Sequence, residues 1–204
     1  MQKLLRVLVV GCGSIGQRHI KNLIALKAGE ILAFDVLEDR RRAMRIELGV
    51  ETTDGLQEAW NRKPDVVLIA APTDMHVRLA LEAAKHGCDF FIEKPLSHTE
   101  EGLNDLIGLV KRNNLVTMVG CNMRFHPGPI QVKRLIDEGA IGRVIAARIQ
   151  TGSYLPDWRP HEDYRQSYSS SAAQGGGAVL DCIHEIDLAL WYFGSGEVVG
   201  AAIV

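Results

Sequence analysis

Short apolar segments alternate with longer amphipathic segments over the first 120 residues. The short segments are rich in β-branched residues, which predicts strands at Leu5–Val10, Ile31–Asp35, Val50–Thr52, Asp65–Ala71, Asp89–Glu93 and Leu115–Cys121. The segments between them have helical spacing of apolar positions, which predicts helices at Ile15–Leu26, Glu38–Leu48, Leu56–Asn61, Met75–His86 and Thr99–Asn113. Strands and helices that alternate through short connections predict an α/β fold with a doubly wound parallel sheet.

The pattern changes after residue 121, so we expect one domain over residues 1–121 and a second over 122–204. Helices are predicted at Pro127–Glu138 and Ala178–Trp191, and strands at Arg143–Tyr154 and Glu197–Val204. A polar segment without periodicity, Leu155–Gln174, lies between them and is typical of a binding loop. Two strands with apolar edges make an incomplete sheet, so we expect a second chain or further sequence to complete it.

Composition places the chain among soluble globular proteins. Its 204 residues are 47% apolar and 24% charged, with a net charge of −2, which gives no electrostatic signature of nucleic-acid binding. No apolar run is long enough to span a membrane, and Met1-Gln2-Lys3 leads directly into a strand, so no signal peptide is expected. The four cysteines are scattered, which predicts reduced thiols in a cytoplasmic protein and no metal site.

A glycine motif between the first strand and the first helix is the strongest indication of chemistry. Gly11, Gly13 and Gly16 form G-x-G-x-x-G, and Asp35 closes the next strand nineteen positions later. In this context the first glycine permits a tight turn, the second lets a pyrophosphate approach, and the third lets the helix pack closely. A strand–turn–helix without a ligand is the alternative, but the combined signals favour a dinucleotide at the helix N-terminus.

The position of Asp35 favours NAD over NADP, because a carboxylate accepts hydrogen bonds from ribose hydroxyls and repels a 2′-phosphate. The run Arg40-Arg41-Arg42 follows closely and could reach such a phosphate. A solvated helix face is the more ordinary interpretation of that run.

Two further segments are predicted at the same edge of the sheet, because both follow the carboxyl ends of parallel strands. They are Ala70-Ala71-Pro72-Thr73, with His76 just beyond it, and Phe91-Ile92-Glu93-Lys94-Pro95. Lys94 could donate a hydrogen bond to a substrate hydroxyl or to the nicotinamide ribose. An exposed lysine in a turn is the alternative.

The helix after Gly175-Gly176-Gly177 carries Asp181, His184 and Asp187 at spacings of three, which places them on one face. Carboxylates beside an imidazole can fix its tautomer and raise its basicity, as a general base requires. A structural polar pair within a core helix is an equally good interpretation. A metal site is a third, without further clustered ligands to support it.

Together these motifs resemble the glucose-fructose oxidoreductase / inositol dehydrogenase / MocA (Gfo/Idh/MocA) family. The matching segments are Val9-Val10-Gly11-Cys12-Gly13-Ser14-Ile15-Gly16-Gln17-Arg18-His19, Ala71-Pro72-Thr73 with His76, Glu93-Lys94-Pro95, Asn122-Met123-Arg124-Phe125-His126-Pro127, and Gly175-Gly176-Gly177 through Asp187. The resemblance extends over essentially the whole chain. It implies a Rossmann domain followed by an α+β domain with an open-faced sheet, of which this chain carries only part.

The resemblance also implies functional residues. The catalytic set is Lys94, His184 and Asp181, although the family spaces the last two as Asp-x-x-x-His and here they are one residue closer. That difference leaves Asp181 either orienting the substrate or capping the helix. The cofactor-binding set is Gly11, Gly13, Ser14, Ile15, Gly16, Asp35, Ala71, Pro72, Thr73, His76, Glu93, Lys94 and Asn122. The substrate-binding set is Arg124, Tyr154, Trp158 and Asp187.

The resulting hypothesis is an oxidoreductase that uses NAD, with NADP as the alternative, on a hydroxyl or carbonyl of a sugar, polyol or nucleotide-linked sugar. Two alternatives are a dinucleotide-binding regulator without turnover and a reductase of a non-sugar carbonyl or imine. The unpaired sheet predicts a homo-oligomer, a dimer or tetramer joined through the C-terminal sheet.

Overall fold

A single parallel sheet of six strands lies at the centre of the protein. The computed structural model describes residues 4–152, 154–157, 163–166 and 168–202. The strands are β1 (Arg6–Val10), β2 (Glu30–Phe34), β3 (Glu51–Thr52), β4 (Val66–Ile69), β5 (Asp89–Ile92) and β6 (Thr117–Val119). Their order, β3-β2-β1-β4-β5-β6, reverses direction between β1 and β4 as in doubly wound sheets, so the predicted fold of the first domain is confirmed.

Helices cover both faces of this sheet. They are α1 (Ser14–Ala25), α2 (Glu38–Leu48), α3 (Leu56–Asn61), α4 (His76–Lys85) and α5 (Leu103–Asn113). Successive residues of a strand point to opposite faces, and β1 follows this rule. Val7 and Val9 pack with Ile20 of α1 and Met44 of α2. Leu8 and Val10 belong instead to the core that contains α3, α4 and α5. Two buried faces explain why these strands are apolar throughout.

Among the described residues after 121, the regular elements are helices and 3-10 turns of three or four residues. A turn at Asn122–Phe125 leads into α6 (Pro127–Asp137). The predicted helix over Ala178–Trp191 is divided into α7 (Ala178–Asp181) and α8 (Ile183–Phe193). The break is at Cys182, whose φ of −96° and ψ of 32° are not helical.

The predicted strands over Arg143–Tyr154 and Glu197–Val204 are wrong for the described residues, since neither 143–152 nor 197–202 contains a strand. An extended segment needs a backbone partner and a covered apolar face to be stable. Ile145 is 91% exposed and Val199 is 98% exposed, so their apolar side chains are not covered. Residues 153, 203 and 204 lie outside the described part of the chain.

Candidate functional site

The glycine loop has the close contacts that its motif predicts. Gly11 has a φ of +96°, and a side chain there would lie 2.5 Å from the carbonyl oxygen of Ala70. A side chain on Gly16 would lie only 1.8 Å from the carbonyl oxygen of Gly11. Gly13, in contrast, faces open space, since a methyl group there would have its nearest neighbour, Nη1 of Arg40, at 3.8 Å. The backbone is therefore closely packed at Gly11, against Ala70, and at Gly16, against Gly11, whereas Gly13 has room for a methyl group.

Asp35 holds this loop in place through its carboxylate. The Cys12 N–H donates to Oδ2 at 2.8 Å, and the Leu37 N–H donates to Oδ1 at 2.9 Å. The side chain is 4% exposed. Each carboxylate oxygen can accept two hydrogen bonds, so Oδ1 retains capacity for another donor. The predicted ribose-binding residue thus also stabilises the loop that would carry the pyrophosphate.

The three consecutive arginines have different environments. Arg41 is buried, and its Nη1 donates to the carbonyl oxygen of Asp35 at 2.7 Å. Arg40 is half-exposed and its Nη1 lies 3.4 Å from Oδ2 of Asp35. Arg42 is exposed. The interpretation of the run as a solvated helix face is therefore right for Arg42, whereas Arg41 is a structural residue and Arg40 faces the glycine loop.

The segments after β4 and β5 are joined by the side chain of His76, which is 1% exposed. Its Nδ1 lies 2.8 Å from the carbonyl oxygen of Pro95, and its Nε2 lies 2.9 Å from that of Ala71. Thr73 is also buried, under Gly175, where a side chain would come within 2.8 Å of the threonine Cβ. Both side chains thus lie beneath the segments that follow β4 and β5, which form the rim of the site, and they support these segments. Their predicted role in binding the cofactor stays a prediction.

Glu93 connects the rim to helix α1. Its Oε1 lies 2.6 Å from Nε2 of His19, and its Oε2 accepts a hydrogen bond from the Lys94 N–H at 3.2 Å. Burial alone would raise the pKa of Glu93, but the hydrogen bond and charge of His19, with a smaller contribution from Lys94, hold it below its usual range. His19 lies within the quoted segment of the glycine motif, but no motif predicts this contact with Glu93.

Lys94 reaches across to the second part of the chain. Its Nζ donates to the backbone carbonyl oxygen of Asp181 at 2.9 Å. The carboxylate of Asp181 points elsewhere: Oδ1 lies 3.5 Å from Oγ of Ser169, and Oδ2 lies 3.4 Å from the N–H of Gly177. Gly177 is the residue before α7, so the carboxylate contacts the start of that helix without forming a side-chain cap. Both roles predicted for Asp181 stay predictions.

His184 lies near this lysine in the first turn of α8. Burial lowers the pKa of His184, and the charge of Lys94 lowers it further. Its Nδ1 is buried and has no hydrogen-bond partner among the described residues. The imidazole is therefore neutral at pH 7, as a proton acceptor must be.

Asp187 is paired with Arg124, not with His184. The guanidinium donates from Nε to Oδ2 at 2.8 Å and from Nη2 to Oδ1 at 2.6 Å. Burial, followed by the charge of the Asp187 carboxylate, raises the pKa of the Cys121 thiol to about 11. The prediction that Asp187 orients His184 is therefore corrected: its charge affects the imidazole, but both of its oxygens are bonded to Arg124.

A cavity of about 610 Å³ opens beside these groups. Its lining combines the polar residues Lys94, Arg124 and Asp187 with apolar ones such as Met118, Phe125 and Ile183. Asn122 is exposed in the turn after β6. Of the other predicted substrate residues, Tyr154 is 70% exposed and does not line the cavity, and Trp158 lies outside the described residues.

The residues present fit a dinucleotide. A methyl group at Gly13 would occupy the open space of the loop, and Ser14 and Ile15, both exposed, begin helix α1 where backbone N–H groups have no partner within the helix. Across the described part of the chain, no three His, Cys, Asp or Glu residues could hold a metal ion together. In that same part, every helix is too short or too polar to cross a membrane.

Sheet order, glycine loop and rim define the class: a nucleotide-binding Rossmann domain at the N-terminus of the chain. Residues 5–121 match the profile of the Gfo/Idh/MocA oxidoreductase family, NAD-binding Rossmann fold, and residues 130–203 match a Gfo/Idh/MocA C-terminal domain. The chain belongs to this family, as the resemblance of its motifs predicts.

Individual relatives support the same placement. The chain is 30% identical over 200 residues to scyllo-inositol 2-dehydrogenase (NAD⁺) of Bacillus subtilis, a match that covers 96% of this chain and 56% of the relative. It is 38% identical over 141 residues to levoglucosan dehydrogenase of Pseudarthrobacter phenanthrenivorans, covering 68% of this chain and 35% of the relative. The crystal structure of Lactobacillus casei scyllo-inositol dehydrogenase with NAD(H) and scyllo-inositol is also similar, with a TM-score of 0.79 and 27% identity. That match covers 94% of this chain and 57% of the other. The chain thus spans about half the length of the relatives that it matches along most of its own length.

Proposed function

We propose that this chain is the cofactor-binding and catalytic part of an NAD-dependent dehydrogenase that acts on a hydroxyl of a sugar or polyol. The observation that carries the proposal is the contact of Lys94 with the segment before α8: its Nζ donates to the carbonyl oxygen of Asp181, three residues before His184. The ammonium also lowers the pKa of the His184 imidazole, and Lys94 lines the cavity of about 610 Å³. A cation beside a neutral base is the arrangement that oxidation of an alcohol requires.

The two side chains have complementary tasks in this reaction. His184 accepts the proton of the substrate hydroxyl, for which its neutral state is suited. Lys94 donates a hydrogen bond to the same oxygen and stabilises the negative charge that develops there. When bound, NAD supplies the acceptor for the hydride. Arg124 and Asp187, fixed to each other, present polar atoms to the substrate from the wall of the cavity.

The cofactor would lie along the rim described above. Its pyrophosphate would be held by the loop from Gly11 to Gly16 and its adenosine ribose by Asp35. Its nicotinamide would lie near Pro72, Lys94 and Asn122. The relatives favour NAD, since one is named for NAD⁺ and another was crystallised with NAD(H). The substrate class follows from the same relatives, which act on or bind inositols and an anhydrosugar.

The first test is titration of the purified chain with NADH and with NADPH, following the fluorescence of the reduced nicotinamide. Tighter binding of NADH supports the proposal, and absence of binding by a chain that circular dichroism shows to be folded contradicts it. Inositols and anhydrosugars are then supplied with NAD⁺ while the absorbance of the reduced cofactor is followed. Binding without turnover of any such compound would favour a regulator.

The role of His184 is tested separately. His184→Ala should lower turnover by about 10²- to 10⁴-fold, the usual contribution of a general base, while NADH affinity changes little. His126→Asn serves as the matched control, because His126 is an exposed histidine whose ring caps α6, a role that asparagine can retain. Equal turnover in the His184 variant and the wild type would rule out the assigned role.

We further propose a boundary between two domains after residue 121, a homo-oligomer joined through the second domain, and a cytoplasmic location. The exposed apolar side chains of Ile145, Val198 and Val199 support the oligomer, since such residues are usually covered. The free cysteines support a reducing compartment. Light scattering of the purified protein tests the oligomer, and cell fractionation tests the location.

A further inference from the structure

The imidazole of His76 bridges two segments that both border the cleft. His76 is the first residue of α4, and its ring lies between the ends of β4 and β5. Nδ1 is 2.8 Å from the Pro95 carbonyl oxygen and Nε2 is 2.9 Å from the Ala71 carbonyl oxygen. One buried side chain therefore spans the distance between the segment of Pro72 and the segment of Lys94.

Both of these partners can only accept hydrogen bonds, whereas a neutral imidazole has a single N–H. Burial lowers the pKa of His76, and the two carbonyl groups and the carboxylates of Glu93 and Asp74 oppose that effect only in part. The ring is therefore neutral at pH 7, and only one carbonyl receives a proton. The tautomer decides which segment is held.

Burial determines which carbonyl oxygen needs the donor more. The contact with Pro95 is fully buried, whereas the contact with Ala71 is only partly so. A buried acceptor without a donor costs more than one that water can reach. The proton therefore belongs on Nδ1.

We propose that His76 is a positioning residue: its Nδ1–H holds the Pro95 carbonyl and thereby fixes where the Lys94 ammonium lies. This inference rests on the proposed function only in that Lys94 is the group that meets the substrate. Lys94 has two other contacts, from its N–H to Glu93 and from its Nζ to the Asp181 carbonyl. Both contacts of Lys94 depend on the backbone conformation at residues 94 and 95, which the bond to the Pro95 carbonyl helps to fix.

The tautomer can be observed directly. Long-range ¹H–¹⁵N spectra of the full chain at neutral pH distinguish a protonated ring nitrogen from a bare one. The His76 signals are assigned as those missing from the spectrum of His76→Gln. We expect a proton on Nδ1 and a bare Nε2. A proton on Nε2 alone would overturn the proposal without any variant having to be active.

Two variants test the consequence for Lys94. The amide nitrogen of asparagine occupies roughly the place of Nδ1, and that of glutamine roughly the place of Nε2. His76→Asn should keep the bond to Pro95, while His76→Gln should keep only the bond to Ala71. The rate at which an amine-specific acylating reagent modifies Lys94, measured by mass spectrometry of peptides, reports how firmly the ammonium is held.

We expect His76→Asn to behave as the wild type and His76→Gln to be acylated at Lys94 about fivefold faster, as one lost hydrogen bond predicts. His86→Gln is the matched control, since His86 is exposed at the other end of α4. Lys85, also exposed, calibrates the reagent in every sample. Equal protection of Lys94 in the Gln variant and the wild type, or faster acylation in the Asn variant than in the Gln variant, would overturn the proposal.

These measurements need no cofactor, so they separate this proposal from the proposed function. A chain that fails to bind NADH would refute the dehydrogenase while leaving the role of His76 to be decided by the spectra and the acylation rates. Conversely, NADH binding with unchanged Lys94 acylation in His76→Gln would support the dehydrogenase and refute the positioning role.

Discussion

The guanidinium of Arg124 and the carboxylate of Asp187 form a bidentate pair, with hydrogen bonds of 2.8 and 2.6 Å, across 63 positions of the chain. Arg124 also lies over the ring of Trp191, with its Cζ 5.8 Å from the ring centre. The pair joins the turn after β6, at Asn122–Phe125, to helix α8, which carries His184.

Replacing Asp187 should reduce the loss of unfolding free energy that accompanies a fall in pH. Burial alone would raise the pKa of Asp187, but its bonds with Arg124 outweigh burial and hold the pKa below its usual range. Such a carboxylate stabilises the fold above its unfolded pKa of about 4, and this contribution is lost as pH falls through the lower folded pKa. Asp187→Asn should therefore lose less unfolding free energy than the wild type between about pH 5 and about pH 2, as measured by urea denaturation.

Asp137→Asn is the control for this measurement, because Asp137 forms an exposed pair with Lys133 within α6. Exposed pairs of this kind contribute little to stability. If Asp187→Asn and the wild type lost stability equally on acidification, the pair with Arg124 would not be the source of the lowered pKa.

Removing the charge of Lys94 should raise the pKa of His184. Burial lowers that pKa most, and the Lys94 ammonium adds to the effect. In Lys94→Met the burial remains and the charge is gone, so the pKa should rise towards its usual value without reaching it. The pH titration of the His184 ring protons by NMR measures this change. Lys85→Met, with Lys85 paired to Glu82 on the surface, should leave the titration unaltered.

Alanine at Gly16 should lower the stability of the fold, whereas alanine at Gly13 should lower the affinity for NADH. Gly16→Ala places a methyl group 1.8 Å from the Gly11 carbonyl oxygen, so the fold should lose about 1–3 kcal/mol or more, visible as a lower melting temperature. Gly13→Ala meets nothing closer than 3.8 Å and should melt like the wild type. It should nevertheless bind NADH at least about tenfold more weakly, since the methyl group occupies the place of the pyrophosphate. Normal NADH affinity in folded Gly13→Ala would refute the assigned cofactor site.

Arg40 should contribute to the affinity for NADPH more than to the affinity for NADH. Its guanidinium lies 3.4 Å from the carboxylate of Asp35, which is assigned to the adenosine ribose, so it is close to where a 2′-phosphate would be placed. Arg40→Ala should therefore weaken NADPH binding about tenfold, as loss of a hydrogen bond between charged groups predicts, and change NADH binding much less. The comparison variant is Arg42→Ala, since Arg42 is exposed on the same helix. A uniform loss of affinity for both cofactors in Arg40→Ala would contradict the assignment.

The sequence was sufficient for the parts of the protein that local patterns determine. The strands β1 and β4 are apolar on both faces because both faces are covered, and the glycine spacing follows from contacts within one strand–turn–helix unit. Contacts between distant segments could not be predicted in this way. The bond from Lys94 to the Asp181 carbonyl spans 87 positions, and the bonds of His76 end on backbone atoms, which no side-chain motif reveals.

The errors of the sequence analysis have the same physical origin. The apolar pattern of residues 143–152 and 197–202 is typical of strands, but strands depend on partners that the described residues do not provide. Likewise, the spacing of His184 and Asp187 correctly indicates neighbouring positions on a helix. It carries no information about Arg124, whose charged bidentate hydrogen bonds bind the Asp187 carboxylate in place of His184.

The break in the helix at Cys182 has a consequence for the control of the site by pH. It ends α7 at Asp181, whose carbonyl oxygen is left to accept the Lys94 ammonium. A peptide oxygen does not titrate and cannot be deleted by exchanging a side chain. The anchor of the lysine therefore depends neither on acid nor on which side chain residue 181 carries.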